Sequence, residues 1–162
     1  MVISSSNNYS EINPDVLEIS SANKINLKKF KQSGQIQIYQ SSYRGSYSSI
    51  IRDSLRNAAL GRKVLLVQFM KGGVKQGVDN KSKLCGNLTW VRSSHSFDQY
   101  HSEEIENNKN LKKSIYESTY ELWNFCKKEL LSGENDQIIL DEIFLALKMK
   151  IIDKDDLIST LE

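Results

Sequence analysis

The chain has 162 residues, 39% of them hydrophobic and 26% charged, and its net charge is only +2. These values suit one soluble domain with a sizeable core and give no case for a nucleic-acid binder. No apolar run reaches the roughly 18 residues of a membrane span, so no membrane role is expected.

The N-terminus, Met1-Val-Ile-Ser-Ser-Ser-Asn-Asn, lacks the basic start and apolar stretch of a secretory signal. Cys85 and Cys126 have no metal-type spacing. A cytoplasmic protein with reduced thiols is therefore expected. Residues 1–34 are rich in Ser, Asn and Lys and read as a flexible N-terminal arm with room for a short helix, its first dozen residues unstructured. Residues 35–162 read as the folded domain.

Ile36 and Ile38 alternate with Gln35 and Gln37, which predicts a strand over Ile36–Tyr39. After the turn Gln40–Ser48, Ile50, Ile51, Leu55, Ala58 and Ala59 recur at helical spacing, with Ser48 or Ser49 as N-cap and Gly61 past the end. Val64-Leu-Leu-Val-Gln-Phe69 reads as a strand buried on both faces of a parallel sheet. Residues 71–86 hold four glycines and read as loop. Leu88–Val91 is a third strand. Leu111, Ile115, Thr119, Leu122, Trp123, Cys126 and Leu130 mark a long amphipathic helix closed by Gly133. Gln137–Asp141 is a fourth strand, Glu142–Lys148 a short helix, and Asp153 the N-cap of a last helix. Strands alternating with helices predict an α/β fold with a mostly parallel sheet.

Two segments carry chemistry. Strand, turn and helix over 36–59 have the layout of a phosphate-binding loop, but a working loop needs glycines, a lysine and a Ser/Thr hydroxyl. Here Gly45 and the cation Arg44 are what the turn offers. The second segment is the strand end Ile138-Ile-Leu-Asp-Glu142. In a phosphate-loop protein the Asp holds Mg²⁺ and the Glu orients a reacting group; alternatively, Asp141 caps the next helix and Glu142 favours its positive end. His95 and His101, with Asp98, Glu103 and Glu104 nearby, match no usual metal-ligand spacing. Cys126 reads as a small buried hydrophobe.

From Tyr39 onward the chain resembles the ATP:corrinoid adenosyltransferases of phosphate-loop fold. Val64-Leu-Leu-Val-Gln-Phe-Met-Lys-Gly72 is close to that family's Val-x-Val-Val-Gln-Phe-x-Lys-Gly. Val91–Phe97 falls on its corrinoid loop, Met-Gly-x-Gly-Phe-x-Trp. Ile138–Lys148 with Ile152-Asp153 resembles its Leu-Asp-Glu-x-x-x-Ala-Leu stretch and the Asp that follows. The resemblance covers residues 35–162 in one register.

The resemblance implies a RecA-like three-layer sandwich that is C-terminally short. It implies transfer of the adenosyl group of ATP to a reduced corrinoid, with Mg-ATP and corrinoid as ligands, in a homodimer. Carried over, it implies catalytic roles for Asp141 and Glu142, with Asp141 as the Mg²⁺ ligand. Ligand contacts fall to Arg44, Gly45, Ser46, Tyr47, Ser48, Gln68, Lys71 and Phe97. The register also shows departures. The family's loop lysine falls at Ser46 and its metal-binding Thr at Tyr47, two of its glycines fall at Ser41 and Tyr43, and its corrinoid-loop glycines fall at Ser94 and Ser96. These replacements lead to the expectation that catalysis is impaired or lost, with a non-catalytic protein acting through a protein partner as the alternative. Family members continue for another strand or two beyond the position of Glu162, so an otherwise open sheet edge is expected to be covered by dimerisation or by the arm.

Overall fold

The computed structural model describes residues 2–5, 34–40, 48–95, 97 and 107–162. Six strands form one sheet: β1 (Val2–Ser5), β2 (Gly34–Gln37), β3 (Val64–Gly72), β4 (Ser82–Leu84), β5 (Leu88–Ser93) and β6 (Gln137–Asp141), in the order β2-β1-β6-β3-β5-β4. The β6-β3-β5 centre is parallel. β1 and β4 run against it, and β2, antiparallel to β1, shares the direction of the centre. Four of the six strands thus point one way, as the expected α/β architecture requires.

β3 owes its central place to its composition. Its first seven residues are buried, so neither face can meet water. Leu65, Val67 and Phe69 belong to one core cluster with Val91, Ile138 and Leu140, and Val64 and Leu66 belong to another with Leu88 and Ile139. Helix α1 (Ser48–Ala59) covers the second cluster with Ala58, Ile50, Ile51 and Leu55. Helices α2 (Lys109–Ser132), α3 (Ile143–Lys148) and α4 (Lys154–Leu161) cover the first, through residues that include Leu122, Trp123, Cys126, Ile143 and Leu157. The result is the three-layer sandwich.

Local signals behave as their chemistry requires. The Asn108 side chain accepts from Leu111 N at the start of α2, and Gly133 ends that helix at φ 64°, where a side chain would be strained. Asp153 accepts from the backbone N–H groups of Asp155 and Asp156 at the start of α4. Helix α1 already includes Ser48, so its cap position falls at residue 47, outside the described residues.

Two sequence expectations need correction. The stretch 71–86, read as loop, contains the end of β3 and all of β4, which pairs with β5. The arm, whose first dozen residues were expected to be unstructured, contributes β1. That strand lies antiparallel along β6, with Val2 opposite Ile139 and Ser4 opposite Gln137. It therefore satisfies the flank of β6 that β3 leaves open. β1 escaped the reading because a four-residue run, Val-Ile-Ser-Ser, carries almost no periodicity; its partner, not its pattern, makes it a strand.

Candidate active site at the carboxyl ends of the strands

The two ends of the sandwich differ in chemistry. At the amino end, connections are tied by structural bonds: Asn57 Nδ2 donates to Gln137 Oε1 at 2.9 Å, Lys63 N to Asp136 Oδ2 at 2.8 Å, and Asn87 Nδ2 to the Ala58 carbonyl at 3.3 Å. These contacts hold the C-terminus of α1 there, so the N-terminus of α1 faces the opposite, carboxyl end. That end is where open α/β sheets bind ligands.

At the carboxyl end, β3, β5 and β6 bring their last residues together. In the parallel register Gln68 stands beside Arg92 on one side and Asp141 on the other. Gln68 is 2% exposed, so each of its polar atoms needs a partner. Its Oε1 accepts from Trp90 Nε1 at 3.0 Å and from Arg92 Nε at 2.9 Å. Two donors on that oxygen fix which way the amide points. Its Nε2 then donates to Asp141 Oδ2 at 2.7 Å. Lys71 Nζ donates to the same carboxylate oxygen at 2.8 Å and lies 3.7 Å from Glu142 Oε1. The Arg92 guanidinium also lies over the Trp90 ring, 4.2 Å from its centroid. A continuous polar line therefore crosses three strands, from Trp90 and Arg92 through Gln68 and Asp141 to Lys71.

Backbone geometry supports the line. The β3–β5 register shifts between Gln68 and Gly72, which re-aims the strand end. A Cβ on Gly72 would clash with the Ser93 carbonyl oxygen and come within 2.6 Å of the His95 carbonyl, so only glycine permits this approach. Glu142 takes φ 62°, a conformation that costs a side-chain-bearing residue on the order of 1 kcal/mol or more. It stands at the N-cap position of α3 without a side-chain cap bond, while Asp141 is held by Gln68 and Lys71. The helix-capping reading of this pair thus has no side-chain bond behind it.

Of the residues singled out from sequence, Gln68, Lys71, Asp141 and Glu142 come together. Ser48 opens α1 and is exposed. Phe97 packs against the core cluster under α2–α4, with its N–H on the Met70 carbonyl at 3.0 Å; Gln68 and Trp90 belong to the α1 side. Arg44, Gly45, Ser46 and Tyr47 lie outside the described residues, as does His101. Among the described residues no three His, Cys, Asp or Glu side chains are grouped to hold a metal. Asp141 Oδ2 already accepts from the Lys71 ammonium and the Gln68 amide, so a Mg²⁺ ion at Asp141 would use its other oxygen or be held through water. Two unit charges at 4 Å feel about 4 kcal/mol near a protein surface, and a divalent ion would feel about twice that against the lysine.

Sequence reasoning missed Trp90 and Arg92. Their i,i+2 spacing places both on one face of β5, which is a usable signal. What the sequence could not supply was the β3–β5 register that sets them against Gln68.

Residues 32–162 match the family described as ATP:corrinoid adenosyltransferase BtuR/CobO/CobP. The chain belongs to that family. The match spans the whole sandwich except β1 and includes every strand end of the polar line. No curated protein matches the chain. Among the described residues no helix is long and apolar enough to cross a membrane.

Proposed function

We propose that this chain is an adenosyltransferase-family protein that keeps a nucleotide-binding strand end but has impaired or lost adenosyl transfer. The observation that carries the reading is the pair Ser46 and Tyr47, standing where the family register has the phosphate-loop lysine and the metal-binding Thr. An electrostatic contact to a developing charge is commonly worth about 3 kcal/mol, or roughly a hundredfold in rate. Two such losses leave little stabilisation for a departing triphosphate. ATP and a reduced corrinoid are the ligands this reading assigns, with Asp141 and Glu142 as the carboxylates nearest the chemistry and Phe97 at the corrinoid loop.

The reading includes a cytoplasmic homodimer. Among the described residues β2 pairs with β1 alone, at the sheet edge; its Ile36 is 46% exposed and Ile38, just past its end, 65%. Gly34–Gln40 carries no charge, so two copies could pair there without repulsion.

The test is an adenosyl-transfer assay with ATP, Mg²⁺ and reduced corrinoid, run beside calorimetric titration of ATP. The expected result is ATP binding with transfer at least roughly a hundredfold below a family member whose loop retains lysine and threonine. Transfer at a comparable rate would sink the reading.

A further inference from the structure

Among the described residues at the carboxyl end, Arg92 is a cation whose charge is left over. Lys71 is committed to Asp141 and lies near Glu142. Arg92 has a neutral partner, the Gln68 amide oxygen, and a ring beneath it. It makes no ion pair among the described residues, and its two terminal nitrogens have no partner there. A partly exposed guanidinium with no counter-ion among the described residues is open to an anion from solution.

The clamp is also specific. Nε is pinned to Gln68 at 2.9 Å, and the plane is held over Trp90, whose own N–H is pinned to the same oxygen. The hydrogen bond and the ring contact together restrain the guanidinium. The terminal nitrogens are left as a fixed fork, the geometry that matches two oxygens of one phosphate. The fork stands on the α1 side of the sheet, the side whose core includes Ile50 and Ile51 from the first turn of α1.

We propose that Arg92, held by Trp90 and Gln68 at the end of β5, binds a phosphate group of the nucleotide and takes over the role of the lysine that Ser46 replaces. The proposal rests on the strand end being the nucleotide site, but not on the loss of turnover. It gives Trp90 and Gln68 the part of positioning residues.

The experiment is calorimetric titration of the full chain with sodium tripolyphosphate, without metal, with adenosine as the phosphate-free control. Tripolyphosphate carries no adenosyl group, so the outcome is independent of catalysis, and a failure here is distinct from a failure of the impaired-transfer reading. The wild type is expected to bind tripolyphosphate. Arg92→Met should weaken that binding by roughly tenfold or more, and Arg92→Lys by a smaller factor, since an ammonium keeps charge but not the fork. Binding of adenosine, where measurable, should be unchanged. Thermal melts establish that each variant is folded; if Arg92→Met is not, Arg92→Lys decides. Wild-type protein that ignores tripolyphosphate, or an affinity unchanged in either folded variant, overturns the proposal.

Discussion

Two clusters in this protein share the same parts and end differently. Beneath α4, Trp123 Nε1 donates to Asp156 Oδ2 at 2.7 Å, and Lys127 Nζ reaches both oxygens of that carboxylate at 2.9 and 3.2 Å. Its ammonium lies 5.7 Å from the Trp123 ring. At the strand ends, Trp90 and Arg92 are arranged in the same way, indole N–H and cation on one oxygen, but that oxygen belongs to the neutral Gln68. The first cluster is closed: one positive charge meets one negative, and α2 is stapled to α4. The second is open on one side, because Gln68 passes hydrogen bonding on to Asp141 but takes up no charge. A closed cluster serves the fold; an open one can serve a ligand. The comparison is exposed to experiment at three points, of decreasing size.

The largest effect belongs to the closed cluster. Trp123 is fully buried and among the largest side chains in the core. Replacing it with Ala should cost about 3–5 kcal/mol, the usual range for removing a buried aromatic, read as a shift in the urea midpoint. Tripolyphosphate affinity of the fraction that remains folded should be unchanged. A parallel loss of affinity would mean that the two clusters are not separable.

How much of this could be read in advance follows from where the information lies. β3 was legible because a run such as Val64–Phe69 has few homes other than a strand covered on both faces. Helix α2 was legible because its apolar residues recur on one stripe and Gly133 suits a helix end, and α4 because Asp153 suits a helix start. Gln68, Lys71, Asp141 and Glu142 were legible as a group only through the family register; nothing local to Gln68 says that it will sit beside Asp141. β1, β4 and the Trp90–Arg92 clamp were not legible, since each depends on which strand lies alongside. Cys126 shows the other limit. Its burial could be read from the helical stripe, and burial indeed pushes its thiol far above the ordinary value, but Cys85 is exposed in a turn at φ 49° with no pattern to announce it.

An intermediate effect is expected where the open cluster hinges. Gln68→Met keeps the volume but deletes both ends of the relay, leaving the Trp90 and Arg92 donors without their acceptor and Asp141 with Lys71 alone. The stability cost should be about 1–3 kcal/mol, that of orphaning buried polar groups. Unlike Trp123→Ala, this variant should also lose tripolyphosphate affinity, because the guanidinium is no longer held in plane. A destabilised Gln68→Met protein that binds as tightly as the wild type would show that the clamp serves packing alone.

The smallest effect separates the clusters by pH. The Asp156 carboxyl lies below its usual value of 3.8, first because of the Trp123 N–H bond and then because of Lys127. A group whose folded value is depressed binds fewer protons folded than unfolded. Its contribution is therefore complete above the unfolded value, near pH 4, and is lost as the pH falls through the lower folded value. The carboxylate is 38% exposed, so solvent screens the pair and the contribution at neutral pH should be only a few tenths of a kcal/mol. Asp156→Asn should accordingly change the midpoint little at pH 7 and flatten the acid side of the stability profile below about pH 4. Urea midpoints measured from neutral pH down through pH 4 would show it. A profile in the variant as steep as in the wild type would mean that the staple contributes nothing as an ion pair. The contrast with the strand ends would then rest on the tryptophan alone, since the closed cluster would be held together by its indole rather than by matched charge.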